Sequence, residues 1–307
     1  MKVVFQRLLL VSALWCLALP SSAVSRTWTG AVNGYWSEAN NWDPAGVPGV
    51  PFTEWLAFTR TDDAHRSMTN DLVNLNVLGV SFGRRGQTAE GNDYDYQLYG
   101  NSIRFPTNIF AAQARLEVQP NGTGSVTIDC PLIFPDGGSA FVAPVGERSA
   151  TMHLNGPVTI EQGTLRLIPH GAVDFTASTP KGFSRIHCLG AISGLGSVRV
   201  EAFFGTVTFE GPHSNTFAGG LILATAPEAR VIFDKTAGYV TTNLLAVVGA
   251  SFHPGLVQVA NSNPNQLGPA TALDINGGVF GLIGGSLTFA SVSMKGNYFG
   301  SVRKPPH

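Results

Sequence analysis

Two adjoining pentapeptides, Gly156-Pro-Val-Thr-Ile160 and Gly163-Thr-Leu-Arg-Leu167, decide how this chain reads. Each opens on a small residue, carries apolar side chains at its third and fifth positions, and sets a polar one between them. Alternate side chains of a strand point to opposite faces, so the two apolar residues enter a core and the residue between them faces water. The opening glycine is expected to take a φ that other residues resist and to turn the chain into the strand.

Working outward, the same unit precedes the pair as Asn101-Ser-Ile-Arg-Phe105, Ala114-Arg-Leu-Glu-Val118, Gly124-Ser-Val-Thr-Ile128 and Ala150-Thr-Met-His-Leu154. It follows as Gly171-Ala-Val-Asp-Phe175, Gly196-Ser-Val-Arg-Val200, Gly205-Thr-Val-Thr-Phe209 and Ala229-Arg-Val-Ile-Phe233. Thr271-Ala-Leu-Asp-Ile275 and Gly285-Ser-Leu-Thr-Phe289 complete the series. Helical periodicity is nearly absent from about residue 75 onward. A unit this short cannot bury its own apolar face, whereas stacking many units builds one continuous core. The irregular intervals exclude a strict short-period solenoid. Two all-β architectures remain, a right-handed parallel β-helix with variable turns and an antiparallel β-sandwich. The unbroken composition and missing linkers favour the β-helix.

The first residues set the expected compartment. Lys2 and Arg7 precede an apolar run from Leu8 to Leu19, Pro20 breaks it, and Ser21-Ser22-Ala23 supplies small residues. That is the order of a cleavable signal peptide, with cleavage expected after Ala23. The run is too short for a membrane span, which needs about 20 apolar residues. Trp15 before Cys16 is too bulky for a lipoprotein signal. No later segment is long and apolar enough to span, so the expectation is export without a transmembrane segment, to the medium or the outer cell surface. Residues 24–68 then read as a tryptophan-rich entry module and 69–307 as the strand stack.

Composition restricts the function classes. Charged residues make up 13% of the chain, about half the usual quarter, which points to a surface solubilised by hydroxyl and amide groups. Formal net charge is −1, becoming −3 once Lys2 and Arg7 leave, and there is no basic run to pair with phosphates. A nucleic-acid partner is therefore not expected. With 44% apolar residues, disorder is a poor account of the chain. Of the cysteines left after cleavage, Cys130 and Cys188, two readings stand: a disulfide, or two separate buried thiols. Neither has a second ligand at metal-binding spacing.

Candidate chemistry is sparse in the sequence. Asp62, Asp63 and His65 form the densest acidic cluster and read as a solvated turn. Asn92-Asp93-Tyr94-Asp95 has too few spaced oxygen ligands for calcium. The seven histidines are scattered singly, and Arg166, Asp174, Arg199, Thr208 and Asp274 are isolated outward polar positions. No catalytic constellation, cofactor motif or metal motif emerges. Trp28, Trp36 and Trp42 are the best candidate ligand face, able to stack on sugar rings. The favoured reading is a cap over the open end of the stack, with Asn41 tying off turn backbone.

The ordered motifs resemble a known family. Trp28-Thr-Gly30, Gly34-Tyr-Trp36-Ser37, Asn40-Asn41-Trp42, Pro48 and Trp55-Leu-Ala-Phe58 are followed by Thr69-Asn-Asp-Leu72 and Val77-Leu-Gly-Val-Ser-Phe82. Further on stand Gly190-Ala-Ile-Ser-Gly-Leu-Gly196, Gly205-Thr-Val-Thr-Phe-Glu-Gly211, Asn215-Thr-Phe-Ala-Gly-Gly220 and Leu221-Ile-Leu223. Ala272-Leu-Asp-Ile-Asn-Gly277 and Ile283-Gly-Gly-Ser-Leu287 close the series. This sequence of motifs is similar to the bacterial autotransporter-associated β-strand repeat proteins. The chain departs from their pattern at Glu201-Ala-Phe-Phe204, where they carry a glycine turn, and it shows no membrane-barrel domain. The resemblance implies a passenger-type cell-surface protein of structural or adhesive role. Extracellular polysaccharide or another surface protein would be its partner, and a carbohydrate-binding or carbohydrate-active β-helix is the alternative.

Overall fold

The computed structural model describes residues 25–295 apart from 50–53, 59–64, 84–93, 107–113, 119–123, 144–148, 171–182, 203–204, 225–228, 249–253, 261–262 and 277–278. The expected signal peptide, the unit at 171–175 and the tail 301–307 lie outside the described residues.

The pentapeptides become strands, and their alternation sets the core. Val126, Ile128, Met152, Leu154, Val158, Ile160, Leu165 and Leu167 are all buried. One coil of chain visits three sheets in turn. Strand Gly124–Ile128 belongs to sheet 2, Leu132–Phe134 to sheet 3 and Gly137–Val142 to sheet 1, and the next coil repeats the order with Ala150–Leu154, Val158–Ile160 and Thr164–Pro169. Among the described residues sheets 1, 2 and 3 contain twelve, nine and six strands, and strands of equivalent position in successive coils are neighbours. Pairing is parallel throughout except where Ser25–Trp28 meets Trp42–Asp43 antiparallel. The fold is a parallel β-helix, and the antiparallel sandwich is excluded.

The register also explains the irregular spacing. Gly124 aligns with Ala150, Ala150 with Ser184, and Ser184 with Gly205, so successive coils differ in length while their strands stay in step. In-register stacking places like beside like in the interior: Phe58 on Phe82 with centroids 4.9 Å apart, and Phe105 on Phe134 at 4.7 Å and nearly coplanar. Such pairs add about 0.5–1.5 kcal/mol beyond their buried area.

The reason for the opening glycine is only partly the one expected. Gly163 does have φ +73°. Gly156 does not have a positive φ; a Cβ there would overlap the carbonyl oxygen of Cys130 in the preceding coil, and one at Gly190 would overlap that of Gly156. Close approach of coil backbones, more than turn handedness, selects glycine at this corner. One unit fails as a strand. Gly285–Phe289 opens on the second of two residues of positive φ, Gly284 and Gly285, and makes no ladder, while the last described strand is Ser291–Lys295. Leu287 and Phe289 still pack on the core.

Candidate functional site

The tryptophans, favoured as a cap and weighed against a sugar platform, lie inside the protein. Trp28, Trp36 and Trp42 are buried, and their rings pack edge-on against one another with centroids 4.9–5.6 Å apart. Trp36 stacks on Phe58 at 5.5 Å. Rings closed in this way leave no face for a ligand, so the stacking role is corrected: the three residues form the lid of the core at the first coil. Asn41, also buried, accepts from the Val32 and Asn33 amides at 2.8 and 3.2 Å and donates to the Asn33 and Tyr35 carbonyls at 2.9 Å. Trp42 Nε1 donates to the Trp36 carbonyl at 3.0 Å, and Trp28 Nε1 to that of His65 at 3.2 Å.

The disulfide reading is corrected as well. Cys130 and Cys188 are free and buried. Cys130 follows Ile128, which aligns with Leu154 and through it with Cys188, two coils away. Two strand spacings are about 9.5 Å, beyond the Cα separation of about 7 Å that a disulfide spans. Burial pushes both thiols up to about 12, so neither is a thiolate at neutral pH.

The remaining candidates stay dispersed. Asp62, Asp63, Asn92, Asp93 and Asp174 lie outside the described residues. Asp95 accepts from the amide and hydroxyl of Ser125 on the next strand, a coil-to-coil link. On the outside of sheet 1, Arg115, Ser139, Arg166 and Arg199 fall in one column, strand after strand. Arg115 is held by Glu117 at 2.8 Å, while Arg166 and Arg199 share Glu201 at 2.9 and 2.6 Å. Arg104 clamps Glu161 with two bonds of 2.7 Å on sheet 3, and that contact holds the Glu161 carboxyl below its ordinary range. Thr208 is buried on the outer side of sheet 2, and Asp274 faces out from sheet 1 beside Ala246 and Ser293.

One constellation went unseen in the sequence. On sheet 2, His153 of strand Ala150–Leu154 aligns with His187 of Ser184–Cys188, and their imidazoles stack with centroids 4.9 Å apart and planes 25° apart. His187 aligns in turn with Thr208 of the next strand, Gly205–Gly211. Glu210, two residues along that strand, therefore shares the outer face and reaches back diagonally, its Oε1 lying 3.1 Å from His187 Nδ1. One donor atom from each of His153, His187 and Glu210 lies within 4.8 Å of the others, and all three residues are half-buried. Burial, helped by the neighbouring His187, lowers the His153 pKa, while Glu210 opposes the shift. The signal was present: Ser184-Arg-Ile-His-Cys188 has the same pattern as Ala150-Thr-Met-His-Leu154, with histidine fourth in both, but opens on serine.

Comparison with family models, with curated proteins and with solved structures gives no match for the chain. Among the described residues no helix is long and apolar enough to cross a membrane.

Proposed function

We propose that this protein is an exported, non-catalytic repeat scaffold of structural or adhesive role at or beyond the bacterial cell surface. The observation that carries the reading is the parallel stack, whose outer columns carry Arg115, Ser139, Arg166 and Arg199 on sheet 1 and Thr127, His153, His187 and Thr208 on sheet 2. A face of that kind suits many weak contacts with a polysaccharide or another surface protein. The signal-like residues 1–23 and the resemblance to autotransporter-associated repeats support export. Fractionation of producing cells tests it: the chain is expected in the medium or outer envelope, shortened after Ala23. Retention in the cytoplasm at full length would overturn the reading.

A carbohydrate-active β-helix is the second reading, and one observation favours it. Glu210 and Asp234 are register partners on neighbouring strands of sheet 2, and glycoside hydrolysis needs two such carboxylates about 5–9.5 Å apart. Polysaccharide turnover by the wild type that is lost in Asp234→Asn would replace the scaffold reading.

A further inference from the structure

We propose that His153, His187 and Glu210 form a binding site for a divalent transition metal of the zinc class on the outer face of sheet 2. Two nitrogen donors and one carboxylate are a set that Zn2+ accepts, with a fourth position left to water. A histidine ladder alone would be ordinary cross-strand stacking. The third group makes it a site, because Glu210 stands one strand on and two residues along, and its carboxylate meets the same edge of the imidazole pair.

The geometry is nearly closed. Bonds of about 2.0–2.1 Å at tetrahedral angles put ligand atoms about 3.3 Å apart. His187 Nδ1 and Glu210 Oε1, at 3.1 Å, already meet that spacing. All donor separations are within 4.8 Å, so His153 has to swing by no more than about 1.5 Å, a side-chain torsion rather than a backbone movement. The backbone is fixed meanwhile, since the three ligands stand on consecutive strands of one continuous ladder.

The surroundings suit a cation. Thr127 and Thr208 flank the imidazole pair along the column, and Asp234 adds a carboxylate beside Glu210. Arg185, two residues before His187, is the nearest cation on the same strand, and it aligns with Thr151 and Thr206 rather than with the ligands. Lys235 lies on the inner side and donates to the Glu210 carbonyl at 2.8 Å, and it also feels the charge of the Glu210 carboxylate. The inference is independent of the scaffold reading.

Titration of the metal-stripped, tag-free protein with zinc chloride in a calorimeter tests it, with X-ray absorption at the zinc edge on the loaded protein. One Zn2+ per chain is expected, with imidazole nitrogen and carboxylate oxygen in its first coordination sphere. His153→Gln, His187→Gln and Glu210→Gln should each weaken binding by roughly tenfold or more, while His170→Gln, remote from the cluster, leaves it unchanged. Metal-free melting curves establish that each variant is folded. Absence of saturable uptake by the wild type, or undiminished uptake by the folded His153→Gln/His187→Gln double variant, would overturn the proposal.

Discussion

The two ends of the stack are finished in different ways. At the first coil the chain doubles back: Trp42–Asp43 pairs antiparallel with Ser25–Trp28, closing sheet 1, and Gly34 and Trp36 bond to Thr69 at the outer edge of sheet 2. Three indoles fill the space beneath. At the last described coil no strand follows Ser291–Lys295, all five residues of which are exposed, including Val292 and Met294. Before that end is reached, sheet 3 has stopped at Thr216–Phe217. Buried Lys235, Gln266, Thr241 and Thr271 hydrogen-bond across the corner where its strands would have run. The contrast teaches that one repeat serves only where neighbours exist on both sides. At the first described coil large apolar side chains fill the end of the core, and the later coils hold their corner with polar side chains bonded to backbone beside a parallel bridge of Thr241 and Leu267.

The largest expected effects are at the sealed end. Trp36→Ala or Trp42→Ala should cost about 3–5 kcal/mol, the range for removing a buried aromatic. Denaturant unfolding at equilibrium measures it. A loss below about 1 kcal/mol would mean the rings are not the lid described. Asn41→Ala should follow, at about 1–3 kcal/mol, because four backbone partners of its amide lose their bonds inside the cap. Asn41→Asp is the sharper variant: it keeps the two accepted bonds and loses those to the Asn33 and Tyr35 carbonyls, so it separates the halves of the interaction.

Lys235 probes the polar corner. Burial brings its pKa down to about 8, below the ordinary value near 10.4. Between those limits the unfolded chain holds the proton and the folded chain does not. Stability therefore rises as pH increases from about 8 towards 10.4, and below 8 the cost of a buried charge is constant. Lys235→Met should abolish that alkaline rise while costing less than the cap variants, since a thioether chain fills similar volume. Melting temperatures of both proteins across this pH range decide the matter, and parallel pH profiles would show that Lys235 is not the group responsible.

How much of this was legible follows from what a period of two encodes. Alternation in Gly156-Pro-Val-Thr-Ile160 says which residues are inside, and Val158 and Ile160 are. It says nothing of the neighbour, because parallel and antiparallel ladders use the same alternation. The motif at Gly285–Phe289 misled for a related reason: Leu287 and Phe289 do turn inward, yet the double glycine turn before them keeps the backbone off the ladder. His153 and His187 were hidden because their meeting depends on the register of successive coils, whose lengths no periodicity fixes. The tryptophans read as a lid before a platform, yet an indole suits both, and burial is what distinguishes them.

The smallest effect belongs at the last described strand. Val292 and Met294 sit on the last strand with 54% and 60% of their surfaces exposed, so little apolar area is removed from water there. Val292→Thr keeps the β-branched shape and the strand propensity while replacing a methyl by a hydroxyl. A change within about 0.5 kcal/mol is expected, as for surface positions away from special features. The same exchange at Val158, buried in the middle of sheet 3, places an unpartnered hydroxyl in the core and should cost about 1–3 kcal/mol. Measured side by side in one denaturant series, the pair isolates position from chemistry. Equal losses would show that the last coil is as well covered as the middle of the stack, and the asymmetry between the two ends would fall with it.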